Sequence, residues 1–488
     1  MKHYKILCFL FVLMLVLVFG PKMGIIANAQ EYGQEIWRVD LLDPIRSLAV
    51  IPDLSGDGFP DLIAGVDSGI YCIETREGVL WWSAKAPAGA TVSDTVWSVA
   101  AIGDVDADGQ SDVAVGTSGN EVRCFSGGAA TGIGVEIWSR PPDLGGDVWS
   151  LSSFPDMDDD TYPEVLAGTA ANAVHLLNGE DGAIVWSYSV GGDVRAVSPI
   201  PDVSGDGKPD VLAGAGDGVV YCINGATGQL LWRYGGLASV WTIEPFYDMD
   251  GDGRVEAMVG TGDNRVLCLS GAPSPSGPDR IIWSFSTDGD VRGLTAMPDM
   301  TGDGRPEAAA GSADDRLYLL NGYTGEAVWN RNLNGEVFSL APVRDFTRDG
   351  QPEIAAGGAL SAVFCQSGED GTDLWYYPFA DIGEIRHIAS IPDMGADGVE
   401  EIAAASANGT LRLLSGSAGL GAAHFDGDAD CNHDVNLADV VTVLRIMAGL
   451  PAGPSPLPEG CVPGDSDGNG RAELSDAVFS MTIAAGIQ

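Results

Sequence analysis

One acidic signature of nine residues returns eight times between Asp53 and Glu401, at intervals of 46 to 52 residues. The copies read DLSGDGFPD, DVDADGQSD, DMDDDTYPE, DVSGDGKPD, DMDGDGRVE, DMTGDGRPE, DFTRDGQPE and DMGADGVEE. A repeat of this period is one supersecondary unit that cannot bury its apolar face alone, so copies must stack into an array or close into a ring. Each copy is preceded by a short apolar strand pattern such as VWSLSSF and followed by one such as EVLAGT. A third pattern such as AVHLLN comes next, then a Gly turn and a last strand ending in Trp, as in GAIVW. Four short strands per unit predict the blade of a β-propeller.

The tryptophans indicate how the ring closes. Trp82, Trp138, Trp186, Trp232, Trp283, Trp329 and Trp375 end the last strand of repeats one to seven, but the eighth repeat runs from Glu401 through LRLLSG without one. Trp37, in GQEIW, precedes the first repeat. The N-terminal segment is therefore expected to supply the outer strand of an eighth blade, which removes an open sheet edge.

Within the signature, oxygen-bearing side chains recur at positions one, three, five and nine. They are Asp53, Ser55, Asp57 and Asp61; Asp104, Asp106, Asp108 and Asp112; Asp156, Asp158, Asp160 and Glu164; and Asp202, Ser204, Asp206 and Asp210. The series continues with Asp248, Asp250, Asp252 and Glu256; Asp299, Thr301, Asp303 and Glu307; Asp345, Thr347, Asp349 and Glu353; and Asp393, Asp397 and Glu401, with Gly395 at the third place. An Asp-Gly turn does not need three or four mutually repelling carboxylates. Calcium, which takes ~6–8 oxygens in a flexible shell, does. Loops with Ser or Thr at the third position are expected to bind more weakly, and the eighth weakest.

The acidic loops resemble the FG-GAP repeats of integrin-like propellers, and NGEDGAIVW, NGATGQLLW and NGYTGEAVW resemble the Trp-docking repeats of pyrroloquinoline-quinone propellers. The resemblance implies calcium in the loops and an eight-bladed ring over residues 30–420. It does not imply the quinone: no adjacent Cys-Cys pair exists, so the disulfide on which that family's cofactor stacks is missing.

From His424 the pattern changes to two loop-helix units joined by PAGPSPLPEG. Oxygen ligands fall at loop positions one, three, five, nine and twelve: Asp428, Asp430, Asn432, Asn436 and Asp439, then Asp465, Asp467, Asn469, Glu473 and Asp476. This small all-α, EF-hand-like module over 424–488 resembles a type I dockerin, which implies calcium-dependent docking onto a cohesin-bearing scaffold protein, as in cellulosome-type assemblies. His433 stands where Gly is usual, Ala472 replaces a β-branched residue, and Leu437-Ala438 and Leu474-Ser475 are not a familiar recognition pair. Which cohesin is therefore open.

Residues 1–29 have the layout of a secretory signal: basic Lys2 and Lys5, an apolar run Ile6–Gly20, and the small-residue site Ala27-Asn28-Ala29. The run is too short to span a bilayer. The chain is expected to be secreted, without membrane insertion. Beyond the leader, 22 basic residues face 69 acidic ones, a balance that repels nucleic acid. Cys72, Cys124, Cys222, Cys268 and Cys365 occupy one strand position in different repeats and read as small buried hydrophobes. Cys431 and Cys461, in an exported module, form a plausible disulfide that spacing alone does not establish.

Just inside each blade's first strand stand Arg46, Trp97, Trp149, Arg195, Trp241, Arg292, Phe338 and Arg386. First strands line a propeller's channel, so these eight are expected to ring one mouth, where they could stack sugar faces and pair with carboxylates. Alternatively the arginines pair with Asp193, Asp290 and Glu384, each two residues away. No catalytic pair stands out, and His175 and His387 are the only propeller histidines. Three classes remain: a binding propeller carried by the dockerin, a polysaccharide lyase or hydrolase working at the mouth, and, last, a quinoprotein dehydrogenase.

Overall fold

The computed structural model describes residues 31–416, apart from 33, 86–93, 129–131, 141–143, 275–276, 360–361, 380–382 and 395–398. The expected leader over 1–29, the expected ligands in 424–488, Cys431, Cys461 and Asp397 all lie outside the described residues.

The described residues form eight antiparallel sheets, one per repeat. In blade III the strands are Val148–Phe154, Glu164–Thr169, Ala173–Leu177 and Ile184–Ser189, paired in that order from the innermost outward. Innermost strands of neighbouring blades pack against each other all the way round, and Ile385–Ile391 of blade VIII meets Ile45–Ile51 of blade I. The ring is closed. Its last sheet takes its outermost strand from the N-terminus: Glu35–Asp40 pairs antiparallel with Thr410–Leu414, Trp37 opposite Leu413. Two short strands pair parallel on outer edges, Gly132–Ile133 on blade I and Glu31–Tyr32 on blade VII.

The core lies between blades. Every second strand, such as Glu164–Thr169, is buried along its whole length because it is sandwiched on both faces. Its Gly168 lets the next blade in: a Cβ there would stand 2.6 Å from Val194. The five repeat cysteines are buried and free, as their strand position implied.

The terminal Trp of one blade docks on the next. Trp138, Trp186, Trp232, Trp283, Trp329 and Trp375 each donate Nε1–H to a glycine carbonyl one blade on, at 2.6–2.9 Å, and Trp37 does the same to Thr75 O at 2.6 Å. Trp82 is the exception, its buried Nε1 lacking an acceptor. Under Trp37, Trp138, Trp186, Trp283 and Trp329 a turn glycine does two jobs: Gly182 has φ +72°, and a Cβ on it would lie 2.6 Å from Trp138, whereas Arg280 covers Trp232 at 4.1 Å. The NG-x-x-G segments quoted above are therefore inter-blade sockets.

Candidate metal centres and the Arg/aromatic ring

The acidic loops join each innermost strand to the second strand. The loops of blades I to VII share one backbone frame, with left-handed residues at positions four and six: Gly56 and Gly58 in blade I, Gly251 and Gly253 in blade V. Where glycine is lacking, Ala107, Asp159, Thr161 and Arg348 accept the same strained region. The first aspartate holds the frame. In blade IV, Asp202 accepts N–H bonds from Gly205 (2.6 Å), Asp206 (3.2 Å) and Gly207 (2.7 Å). Burial, the largest single influence, pushes its carboxyl up, but those N–H groups and the Ser204 hydroxyl together outweigh it and hold the carboxyl below the usual range. The fifth-position acid accepts from the seventh residue, as Asp206 does from Lys208 N at 2.8 Å.

The ninth-position acid lies at the bottom of the loop. Asp61, Asp112, Glu164, Asp210, Glu256, Glu307 and Glu353 are fully buried, and Glu401 nearly so. Each reaches back to the second residue's N–H, as Glu164 does to Met157 (2.7 Å). Desolvation, with neighbouring aspartates adding to it, pushes Asp112 up to about 6 and Glu164 up to about 7; burial likewise takes Glu256 and Glu353 to about 7. Glu164 Oε2 and Glu353 Oε2 are buried without any hydrogen-bond donor.

Three carboxylate oxygens come within 4.8 Å of one another in four loops: Asp104, Asp106 and Asp108; Asp156, Asp158 and Glu164; Asp248, Asp250 and Glu256; Asp299, Asp303 and Glu307. At the hydroxyl-bearing loops, Ser204 Oγ donates to Asp202 (3.1 Å) and Thr301 Oγ1 to Glu307 (2.8 Å), so the third position still points inward. An all-oxygen set with donorless buried carboxylates fits a hard dication such as Ca2+.

The sequence reading missed one group of residues. Asn178, Asn224 and Asn321, at the end of the third strand, donate Nδ2–H to the fifth-position acids Asp160 (2.6 Å), Asp206 (2.6 Å) and Asp303 (2.8 Å), and Ser126 Oγ does so to Asp108 (3.1 Å). Their recurrence eight residues before Trp in the three Asn blades was the available signal.

The ring residues sit near the start of the innermost strands, at the opposite face from the acidic loops. All four arginines find carboxylates. Arg46 grips Asp67 with Nε (2.7 Å) and Nη2 (3.1 Å), while Arg195 pairs with Asp193 (3.1 Å) and Arg386 with Glu384 (3.2 Å). Arg292 pairs with Glu336 (3.2 Å) and stands 3.7 Å from Asp290. The near-neighbour pairing thus holds for three, and Arg46 instead reaches across to the second-strand turn. The rings and guanidiniums also stack. Arg195 lies 5.5 Å from the Trp149 centroid and 4.1 Å from that of Trp241, and Arg292 is 5.4 Å from Trp241 and 5.5 Å from Phe338. Arg46 stands 5.5 Å over Trp97. His175 bonds Ser187 Oγ at 2.7 Å and His387 bonds Arg46 O at 2.6 Å, so both histidines have structural partners.

Deeper on an innermost strand, Glu244 is pushed up to about 7 by burial alone, from 4.5. A carboxyl raised on folding makes stability fall as pH rises from about 4.5 through about 7. With calcium present, Glu244→Gln should match the parent at pH 5 and exceed it at pH 8 in urea midpoint. An equal gap at both pH values would show that Glu244 ionises normally.

This architecture defines an eight-bladed β-propeller. Residues 53–115 match the family model described as FG-GAP-like repeat, and residues 130–272 match that of outer membrane protein assembly factor BamB. No curated protein matches the chain. Similar solved structures include Saccharomyces cerevisiae Sqt1 (12% identity, TM-score 0.64, covering 79% of this chain and 100% of that one). The designed protein Ika8 is similar too (15%, 0.57, 79% and 99%), as is BamB from Moraxella catarrhalis (16%, 0.52, 78% and 99%). At such identities the likeness concerns the fold, into which this chain folds FG-GAP-like and BamB-like repeats. No helix among the described residues is long and apolar enough to cross a membrane.

Proposed function

We propose that this chain is a secreted, calcium-stabilised β-propeller that presents its Arg/aromatic mouth to an extracellular ligand, a polysaccharide or a protein, and docks through residues 424–488 onto a cohesin-bearing scaffold. The observation that carries the calcium part is the clustering of three carboxylate oxygens within 4.8 Å in four separate loops. Such oxygens repel unless a cation joins them. Calcium here braces the fold and takes no part in bond-making.

Support for the ligand part is the unbroken run Trp149, Arg195, Trp241, Arg292, Phe338. Its faces suit flat sugar rings and its guanidiniums suit carboxylates. Because each arginine already holds an acid, a ligand carboxylate would exchange for Asp193, Asp290 or Glu384 rather than fill an empty site. That exchange makes for modest affinity and a marked salt dependence. The dockerin-like ligand pattern supports scaffold docking, and the exported chain's leader supports secretion.

The test is to follow binding and product formation by the full mature chain on neutral and acidic polysaccharides, and capture by a cohesin panel, with calcium and then with chelator. Calcium-dependent cohesin capture and sugar binding without turnover are the expected results. Release of unsaturated or reducing-end products would make the mouth an active site and overturn the binding-module reading.

A further inference from the structure

Asparagine followed by glycine occurs five times among the described residues: Asn178-Gly179, Asn224-Gly225, Asn321-Gly322, Asn334-Gly335 and Asn408-Gly409. In such a pair the backbone nitrogen of the glycine can close on the side-chain amide, because no Cβ on the glycine stands in the way. The reaction needs a side chain and an N–H that nothing else holds. In four pairs the fold holds them. Asn178, Asn224 and Asn321 donate Nδ2–H to loop acids, and their Oδ1 atoms accept turn N–H groups, from Glu180 (2.9 Å), Thr227 (2.8 Å) and Thr324 (2.9 Å) respectively. Gly225 N–H is itself given to Asp210 (3.2 Å). Asn408 Oδ1 accepts from the Ser406 hydroxyl, and Gly409 N–H goes to Ser406 O (3.1 Å).

Asn334 is held by none of these. It is exposed, at φ +60°, in the turn between Ala327–Asn332 and Val337–Val343. Asparagine is among the few residues that enter this region readily. The turn is shaped by the Asn334 backbone, whose N–H donates to Asn332 Oδ1 (2.7 Å). Among the described residues nothing bonds the Asn334 side chain or the Gly335 N–H. We infer that Asn334-Gly335 is a site of spontaneous deamidation. Gly335 N attacks Asn334 Cγ, its proton passes to the departing amide nitrogen, and the Cγ–Nδ2 bond breaks to release ammonia and leave a cyclic imide. Water then opens either imide C–N bond, giving an aspartyl or an isoaspartyl residue. The aspartyl product suits the turn: the one leading into blade VI carries Asp288-Gly289 at the same place, where Asp288 N donates to Asp314 (2.8 Å). Either product puts a carboxylate two residues before Glu336, the acid that pairs with Arg292 (3.2 Å). The conversion thus adds negative charge at the Arg/aromatic mouth. It depends neither on calcium in the loops nor on what the mouth binds.

The test is to hold the full mature chain, folded and with calcium present, at pH 5 and at pH 8. Its peptides are mapped by mass spectrometry, and isoaspartate is labelled with an isoaspartyl methyltransferase. The expected result is the mass gain of an amide turned acid on the Asn334 peptide, with methyltransferase labelling of part of it. Conversion should be faster at pH 8, because Gly335 N must give up its proton to attack. Asn178, Asn224, Asn321 and Asn408 should stay intact. A parallel sample unfolded in guanidinium chloride should convert all five pairs, since there the fold no longer holds any of them. Asn334→Gln should remove the acidic form that this peptide accounts for on anion exchange. An Asn334 peptide that keeps its mass at pH 8 would overturn the assignment. Conversion of the four held asparagines as fast as Asn334 in the folded chain would overturn it as well, because the fold would then select nothing.

Discussion

Removing residues 31–40 abolishes cooperative folding of the propeller, and Trp37→Ala alone lowers its stability by ~3 kcal/mol, toward the low end for a Trp truncation because the ring is only half-buried. The strand Glu35–Asp40 completes the four-stranded sheet of blade VIII although it precedes that blade by the whole ring in sequence. Its registration on Thr410–Leu414 closes a loop of the whole ring, so nothing local holds it in place. Side-chain contacts along its length fasten it. Trp37 donates to Thr75 O (2.6 Å) and covers Gly78, whose Cβ would stand 2.7 Å from the ring. Glu35 accepts from Arg412 (2.8 Å) and from the Tyr377 hydroxyl (2.6 Å). Arg412, only 4% exposed, also stacks at 4.4 Å on Phe379. Truncation therefore strips a buried guanidinium of its carboxylate, a loss of ~3–5 kcal/mol by itself, and exposes the edge of blade VIII. Urea denaturation and limited proteolysis measure this. Unchanged midpoints for the truncated chain would mean that the eighth blade closes without its N-terminal strand.

On the calcium reading proposed above, chelation gives the second large expected effect. A site filled at a hundredfold excess over its Kd stabilises by about 2.7 kcal/mol, so the four loops with three clustered carboxylates together account for ~10 kcal/mol. The effect has a defined pH signature. Without cation, Glu164, Glu256 and Glu353 are pushed up to about 7 from 4.5 and Asp112 to about 6 from 3.8. The chelated protein therefore loses stability as pH rises from about 4 through about 7. Bound calcium favours the carboxylates, so calcium-loaded protein gains over the same range. The gap in melting temperature between calcium and chelator should widen from pH 5 to pH 8, and Glu164→Gln should narrow it. A gap that stays constant with pH would mean that calcium binds elsewhere than on these buried acids.

Some of this was legible residue by residue. The ninth-position acids stood out because their spacing from the first aspartate is constant, and the same regularity sets the backbone frame that buries them. Trp37 was legible as a missing count. The role of Asn178 was not, although its NG-x-x-G segment carries the Trp socket. Donation to Asp160 crosses from one hairpin to another, and no local pattern distinguishes it from a turn cap. The pairing of Arg46, which has no acid two residues away, with Asp67 is of the same kind, since it depends on how the second-strand turn folds over the mouth.

What the amino-acid order alone determined is therefore periodic: eight blades, their strand order, the acidic loops and the borrowed closing strand, all set by local hydrophobic alternation, turn chemistry and repeat length. What only the tertiary structure decided is pairing among groups far apart in the chain: which arginine meets which acid, which carboxylates lose their solvent, and that Asn178 reaches Asp160. Periodicity is a property of neighbours along the chain. Desolvation and side-chain partnership depend on distances that exist only once the ring has closed.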